Sequence, residues 1–223
     1  RSTLFPYTTL FRSEKNCFIT LTYDDVNLPS DGSLNKEHWK LFAKRVRRKF
    51  GKFRYLHCGE YGDINKRPHY HACVFGLDFR EDGFFFSKRG VNKLFISPAL
   101  SERWGMGHCT VGSLTYESAA YVAKYVIKRA TGDASKRQLE RVNVETGECW
   151  YVEPEYMTMS RRPGLGAEWF ERYSSDVYPA DRVMYFGREF KPPRYYDDKL
   201  SEEERLSLKA RRARRADLAS ELS

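Results

Sequence analysis

FRYLHCGEYGDINKRPHYHACVF (53–75) is the stretch whose reading decides the fold. FRYLHCGEY (53–61) and HYHACVF (69–75) have the aromatic and β-branched content of strands. GDINKRP between them is built from Gly, Asp, Asn and Pro, residues that reverse a chain. The pattern is a β-hairpin. In a strand, residues i and i+2 point to one face, so His69 and His71 lie side by side. Alone, an HxH triplet is a weak signal, because surface or hydrogen-bonded histidines are the ordinary case. The hairpin adds a third group. If Tyr61 pairs with Pro68, Glu60 falls opposite His69 and Cys58 opposite His71, and opposed residues share a face. One carboxylate and two imidazoles then converge, a mixed set that suits Mg, Mn or Zn ions. A slip of one residue would instead present His57 and Tyr61 to the pair, and the sequence leaves that register open. Cys73 shares the histidine face in either register, so a structural zinc site from Cys58, Cys73, His69 and His71 is a competing reading.

Upstream, CFITLTY (17–23) reads as a strand and DDVNLPSDGS as a loop. NKEHWKLFAKRVRRKF (35–50) carries Trp39, Phe42, Val46 and Phe50 at helical spacing, with Asn35 placed to cap it. Lys40, Lys44, Arg45, Arg47, Arg48 and Lys49 lie largely around the rest of that helix. They are a solvated face or a contact for a DNA backbone, with Lys44, Arg47 and Arg48 as the DNA-binding candidates. The stretch RSTLFPYTTLFRS (1–13) looks like translated sequencing-adapter sequence, and the expectation is a non-native leader outside the fold.

Downstream of the hairpin, a polar loop is expected to lead into a short helix, SPALSERWG (97–105), with Ser97 as cap and Pro98 in its first turn. GHCTVG follows as a further strand. ESAAYVAKYVIKRA (117–130) is a helix closed by Gly132. On it Tyr121 and Tyr125 are four residues apart and therefore on one side, interleaved with Lys124 and Lys128. An aromatic packing stripe is the plain explanation. The chemical one is that phenols among cations can meet a phosphate and serve as nucleophiles, although a free phenol has a pKa of about 10. Residues 140–160 hold a turn at Glu145–Gly147 between strand-like runs, AEWFERY (167–173) is a short helix, and the charged end from about 200, with RRARR at 211–215, is a solvated helix or tail.

The chain of 223 residues carries a formal charge of +9, and such an excess of cations points to a polyanionic partner, most commonly nucleic acid. No apolar run is long enough to span a bilayer. There is no phosphate-binding loop of the G-x-x-x-x-G-K-[ST] form, so no nucleotide is expected as a cofactor. The cysteines, Cys17, Cys58, Cys73, Cys109 and Cys149, are odd in number and form no CxxC pair, which fits a reducing cytosol.

Three motifs, taken in order, resemble the replication initiators of microviruses, the small phages with circular single-stranded DNA, and especially the gokushovirus type. FITLTYDD (18–25) resembles the first motif of rolling-circle initiators. CGEYGDINKRPHYHACVFG (58–76) resembles the metal motif of the HUH endonuclease superfamily with its upstream glutamate, and AAYVAKYVIKR (119–129) its two-tyrosine nucleophile motif. SRRPGLGAEWF (160–170) is similar to a downstream signature of the same phage proteins. The resemblance spans roughly residues 16–190. It implies an α+β fold: an RRM-like or ferredoxin-like antiparallel sheet of about five strands with flanking helices. The expected domain runs over 14–190, with a charged basic tail at 191–223.

The resemblance also implies a chemistry. Glu60, His69 and His71 would bind a divalent cation, Mg or Mn. Tyr121 or Tyr125 would attack the scissile phosphate of a single-stranded viral origin and keep its 5′ end as a phosphotyrosine ester. Lys124 would position the phosphate, and Lys128 would contact the DNA. Host helicase and polymerase would act as partners in the cytoplasm of the bacterial host, with no membrane involved. Competing expectations are a plasmid initiator, relaxase or transposase with the same chemistry, and a non-catalytic single-strand binder using basic and aromatic surfaces.

Overall fold

A computed structural model describes residues 15–221 except 91, 128–138, 179 and 186–187, with the backbone alone at 89, 124–127, 184–185, 188 and 221. The adapter-like stretch 1–13 lies outside the described residues. In chain order the elements are β1 (Asn16–Tyr23), α1 (Lys36–Phe50), β2 (Arg54–Tyr61), β3 (Pro68–Phe75), β4 (Phe84–Arg89), β5 (Asn92–Ile96), α2 (Pro98–Trp104), β6 (Gly107–Gly112) and α3 (Tyr116–Ile127). There follow β7 (Glu140–Val142), β8 (Cys149–Tyr151), β9 (Tyr156–Met159), α4 (Ala167–Val177), β10 (Val183–Tyr185), β11 (Arg188–Phe190), α5 (Arg194–Asp197) and α6 (Glu202–Glu221). The chain divides into two units, one holding the described residues up to Leu165 and the other those from Gly166 on.

The first unit is α+β. Its sheet has seven strands in the order β4-β5-β6-β1-β3-β2-β9, and every pairing is antiparallel. This is the antiparallel architecture implied by the motifs. The period of two in β1 sorts its residues: Cys17, Ile19, Leu21 and Tyr23 are buried in the core, while Phe18, Thr20 and Thr22 line a cleft on the other face. Tyr70, Ala72 and Val74 of β3 and Cys109 and Val111 of β6 join the core side. There α1 presses Trp39, Phe42, Ala43 and Val46 onto the sheet, and α2 adds Leu100 and Trp104. Each large apolar side chain taken out of water contributes about 1.5–3 kcal/mol.

Local chemistry sets the ends of these helices. The Asn35 side chain accepts from the backbone N–H groups of Glu37 and His38, and Ser97 Oγ accepts from Leu100 N–H at 3.1 Å. Gly105, in the left-handed region at φ +64°, ends α2. Two further steps on, Gly107 lets β6 cross close to β1: a Cβ there would sit 2.2 Å from the Asp24 nitrogen.

The polar loop expected ahead of α2 is instead a hairpin of β4 and β5. Its alternation is broken by a register shift between Phe85 and Ser87, and charged residues surround its apolar triplet, so no clean period of two survives in the sequence. Phe50, expected on the apolar stripe of α1, is exposed and meets Phe79 edge-on at 5.5 Å.

The second unit has a smaller apolar cluster of Trp169, Phe170, Val177, Val183 and Tyr196. The charged C-terminal stretch is the helix α6, and ion pairs tie it within this unit. Arg212 bridges Asp181 at 2.5 Å and Asp197 at 2.6 Å, and Arg215 also pairs with Asp181. No helix among the described residues is long and apolar enough to cross a membrane.

Candidate metal centre

The β2–β3 hairpin adopts the register in which Tyr61 pairs with Pro68, Glu60 with His69 and Cys58 with His71. His57 pairs with Ala72 and turns to the core side, where it lies against Trp39 at a ring separation of 3.8 Å. The alternative in which His57 joins the histidine pair is thereby removed. Glu60, only 2% exposed, receives three groups on one oxygen. His69 Nε2 is 2.8 Å from Glu60 Oε1, His71 Nε2 is 2.9 Å from it, and the Tyr121 hydroxyl donates to it at 2.6 Å. The second oxygen, Oε2, is buried with no hydrogen-bond partner among the described residues.

Electrostatics follow from that geometry. Burial alone would raise the Glu60 carboxyl, but hydrogen bonds from His69 and His71, then Tyr121, outweigh it and hold the pKa down at about 2. His69 is desolvated, which disfavours its charge, yet Glu60 and the Arg67 carbonyl pull its pKa above the ordinary value. Burial pushes the Tyr121 phenol up, and the Glu60 carboxylate pushes it further. The phenol is therefore protonated and held, not ionised.

The donor set fits a divalent cation. A carboxylate oxygen and two imidazole nitrogens lie with their ligand atoms within 4.8 Å of one another. His69 Nδ1 is 3.1 Å from the Arg67 carbonyl, which can only accept, so the lone pair available to a ligand is on Nε2, inside the cluster. Ligating histidines characteristically donate their other nitrogen in this way. Neither Cys58 nor Cys73 belongs to the cluster, although both are buried nearby in the sheet, so the competing zinc set is not assembled.

The centre lies at the side of an open cleft of about 590 Å³ lined by residues of β1, β2, β3, β5, β6 and α3. Its described lining includes Glu60, Asp63 and Glu117 but no Lys or Arg. Tyr121 reaches in from α3 while remaining 41% exposed, and its ring meets His71 edge-on at 5.3 Å. The helix bearing it begins with a reciprocal cap: Thr115 N–H donates to Ser118 Oγ at 2.9 Å, and Ser118 N–H to Thr115 Oγ1 at 3.3 Å.

The other sequence-derived candidates fare differently. Lys44, Arg47 and Arg48 sit on α1, which covers the opposite face of the sheet, and none lines the cleft. Arg47 stacks over Phe53 at 4.9 Å and Tyr55 at 5.6 Å. Lys124 and Tyr125 fall within the backbone span of α3, but their side chains lie outside the described residues, as does the whole of Lys128.

Two contributors were not singled out from sequence. Phe18 stacks on His71 with ring centroids 5.4 Å apart, and Thr20 Oγ1 lies 2.9 Å from His71 Nδ1. Both come from FITLTYDD. The signal was the alternation of that strand. What was missing was its partner, because pairing β1 with β3 joins residues 51 positions apart, Thr20 and His71.

Comparison with known proteins agrees with this geometry. Residues 16–130 match a family model described as replication-associated protein ORF2. The chain belongs to that family. It is 31% identical over 202 residues to the replication-associated protein ORF2 of Spiroplasma virus 4, covering 84% of this chain and 58% of that protein. It is 30% identical over 199 residues to VP4 of Bdellovibrio phage phiMH2K, covering 83% of this chain and 58% of that protein. It is 31% identical over 200 residues to ORF4 of Chlamydia phage 1, covering 84% of this chain and 46% of that protein. The chain thus spans roughly half of the length of these relatives, all named as replication-associated proteins. No solved structure matches it.

Proposed function

We propose that this chain carries the nicking centre of a rolling-circle replication initiator, a metal-dependent HUH-type endonuclease that cuts and rejoins single-stranded phage origin DNA. The observation that carries the reading is the meeting of His69, His71 and Tyr121 on one oxygen of Glu60. A tyrosine placed against a carboxylate–imidazole set is the arrangement needed to bring a nucleophile to a cation-bound phosphate.

Glu60, His69 and His71 would hold the cation, Mg or Mn. When bound, it supplies charge to a non-bridging oxygen of the scissile phosphate. The need for a cation is physical, since a phosphate entering a cleft lined by Glu60, Asp63 and Glu117 meets like charge.

Tyr121 forms the Oη–phosphorus bond, the bond from phosphorus to the 3′ oxygen breaks, and that oxygen leaves as a hydroxyl after taking a proton. The phenolic hydrogen is held on Glu60 Oε1 until attack, which keeps the hydroxyl aimed at the centre. The 5′-phosphotyrosine ester stores the bond, so rejoining needs no nucleotide. Tyr125, on the same side of the helix by spacing, serves as the second nucleophile, and Lys124 steadies the phosphate. Lys128 and the α1 cations Lys44, Arg47 and Arg48 contact flanking DNA backbone. The free 3′ hydroxyl primes a host polymerase behind a host helicase, in the bacterial cytoplasm.

The test is to incubate the protein with single-stranded phage-origin oligonucleotides and Mn(II), then seek an adduct on a denaturing gel. An adduct in the parent, absent with chelator and with Tyr121→Phe plus Tyr125→Phe, supports the reading. Binding without any adduct makes the chain a non-catalytic single-strand binder. Cleavage confined to plasmid or transposon ends assigns it to those systems instead.

A further inference from the structure

The two histidines of the centre are held from behind by different kinds of group. His69 Nδ1 faces a carbonyl, that of Arg67, at 3.1 Å. His71 Nδ1 faces a hydroxyl, that of Thr20, at 2.9 Å. A carbonyl can only accept a hydrogen bond, whereas a hydroxyl can donate or accept by rotating. We propose that the Thr20 hydroxyl is a positioning residue that reverses the sense of its hydrogen bond to His71, so that one imidazole can serve Glu60 in the metal-free centre and a divalent cation in the loaded one. The inference rests on the metal reading given above.

The surroundings of the ring make such a reversal necessary. Phe18 stacks on one side of His71 with an interplanar angle of 20°, and Tyr121 meets it edge-on. The ring is confined, and its Nε2 lies 2.9 Å from Glu60 Oε1. An ionised carboxylate only accepts, so in the metal-free centre Nε2 carries a hydrogen. A neutral imidazole then has a bare Nδ1, and Thr20 O–H donates to it. A cation requires the Nε2 lone pair instead. The Nε2 proton passes to water in the cleft, Nδ1 gains one, and the ring keeps its proton count. Nδ1–H now donates to Thr20 Oγ1, as an outer partner of a ligating histidine should accept.

Thr20 is well placed to hold both states. It pairs directly with His71 on one side and with Thr110 of β6 on the other, so its backbone is fixed between two strands. A β-branched side chain in a strand has little freedom at χ1, which leaves the hydroxyl hydrogen as the moving part. Valine has the same shape and the same preference for strands but neither donates nor accepts. Serine keeps the hydroxyl and loses a methyl group.

The experiment compares the parent, Thr20→Val, Thr20→Ser and His71→Ala by titration with Mn(II), without DNA. Thr20→Val is expected to weaken Mn(II) binding by roughly 10- to 100-fold. Thr20→Ser should stay within a few-fold of the parent, and His71→Ala should lose binding. Nitrogen-15 spectra of the parent supply a second readout: the His71 proton on Nε2 in chelator and on Nδ1 with Mg(II).

Parental Mn(II) affinity in Thr20→Val, with binding lost in His71→Ala, overturns the role of Thr20 and leaves the metal reading standing. The same tautomer of His71 in both states also overturns it. Absence of Mn(II) binding by the folded parent overturns the metal reading and the inference with it. Should Thr20→Val fail to fold, the parent spectra and the serine variant still decide.

Discussion

Glu60→Gln keeps the volume of the side chain and removes the charge on which two histidines and a tyrosine converge. Its magnitude can be worked from the carboxyl, which is held at about 2 against an ordinary value of 4.5. At about 1.4 kcal/mol for each pKa unit, that difference corresponds to about 3 kcal/mol in favour of the ionised folded form. A lowered carboxyl contributes stability above its unfolded value of 4.5 and loses it as pH falls towards 2. His69 has the opposite sign: its pKa is raised, so its share is complete below 6.5 and is lost as pH rises through the folded value.

Both contributions are therefore present between 4.5 and 6.5. In chelator, Glu60→Gln should lower the urea unfolding free energy by about 3 kcal/mol near pH ~5.5, and by clearly less near pH ~8.5, where His69 no longer needs a counter-charge. Mn(II) at a hundred times its dissociation constant should then stabilise the parent by about 2.7 kcal/mol and the variant hardly at all. An equal loss at both pH values would refute the paired-charge account of the centre. Equal stabilisation of both proteins by Mn(II) would refute the assignment of Glu60 as a ligand.

Three other outcomes are expected. Tyr121→Phe and Tyr125→Phe should each still form an adduct in a single round yet fail at coupled cutting and joining, as gel analysis of closed-circle product would show; full repeated turnover by one of them makes the enzyme a one-tyrosine nickase. Binding to single-stranded DNA should fall at least roughly tenfold between about 50 and 200 mM salt, and replacing Lys44, Arg47 and Arg48 together by Ala should flatten that slope; an unchanged slope removes α1 from the DNA path. Near pH ~8, Cys149 should be alkylated readily because it is exposed, while Cys17, Cys73 and Cys109, whose thiols burial pushes up to about 12, should react only on unfolding, as mass mapping of labelled peptides would show.

What could be read from the chain alone divides according to the reach of the signal. The β2–β3 hairpin was legible because its strands are joined by a turn of few residues, so the alternation of each strand and the turn between them limit the register to two choices. Cys58, Glu60, His69 and His71 share one face in the register adopted, and His57 does not. Helix α1 was legible for a similar reason, since Trp39, Phe42 and Val46 repeat at helical spacing and all are buried. Which side of the sheet it would cover was not legible. A stripe of apolar residues specifies that a helix packs, not on which face, and here it took the face opposite the metal centre. That is why Lys44, Arg47 and Arg48, the most conspicuous cations in the sequence, are absent from the cleft. The contacts that tune the centre lie at the same long range: Thr20 meets His71 through the non-local pairing of β1 with β3, and Tyr121 reaches Glu60 from a helix 61 residues further along the chain. Residue types and local spacing identify the ligands of such a site. The groups that orient those ligands belong to neighbouring strands, and only the strand order assigns them.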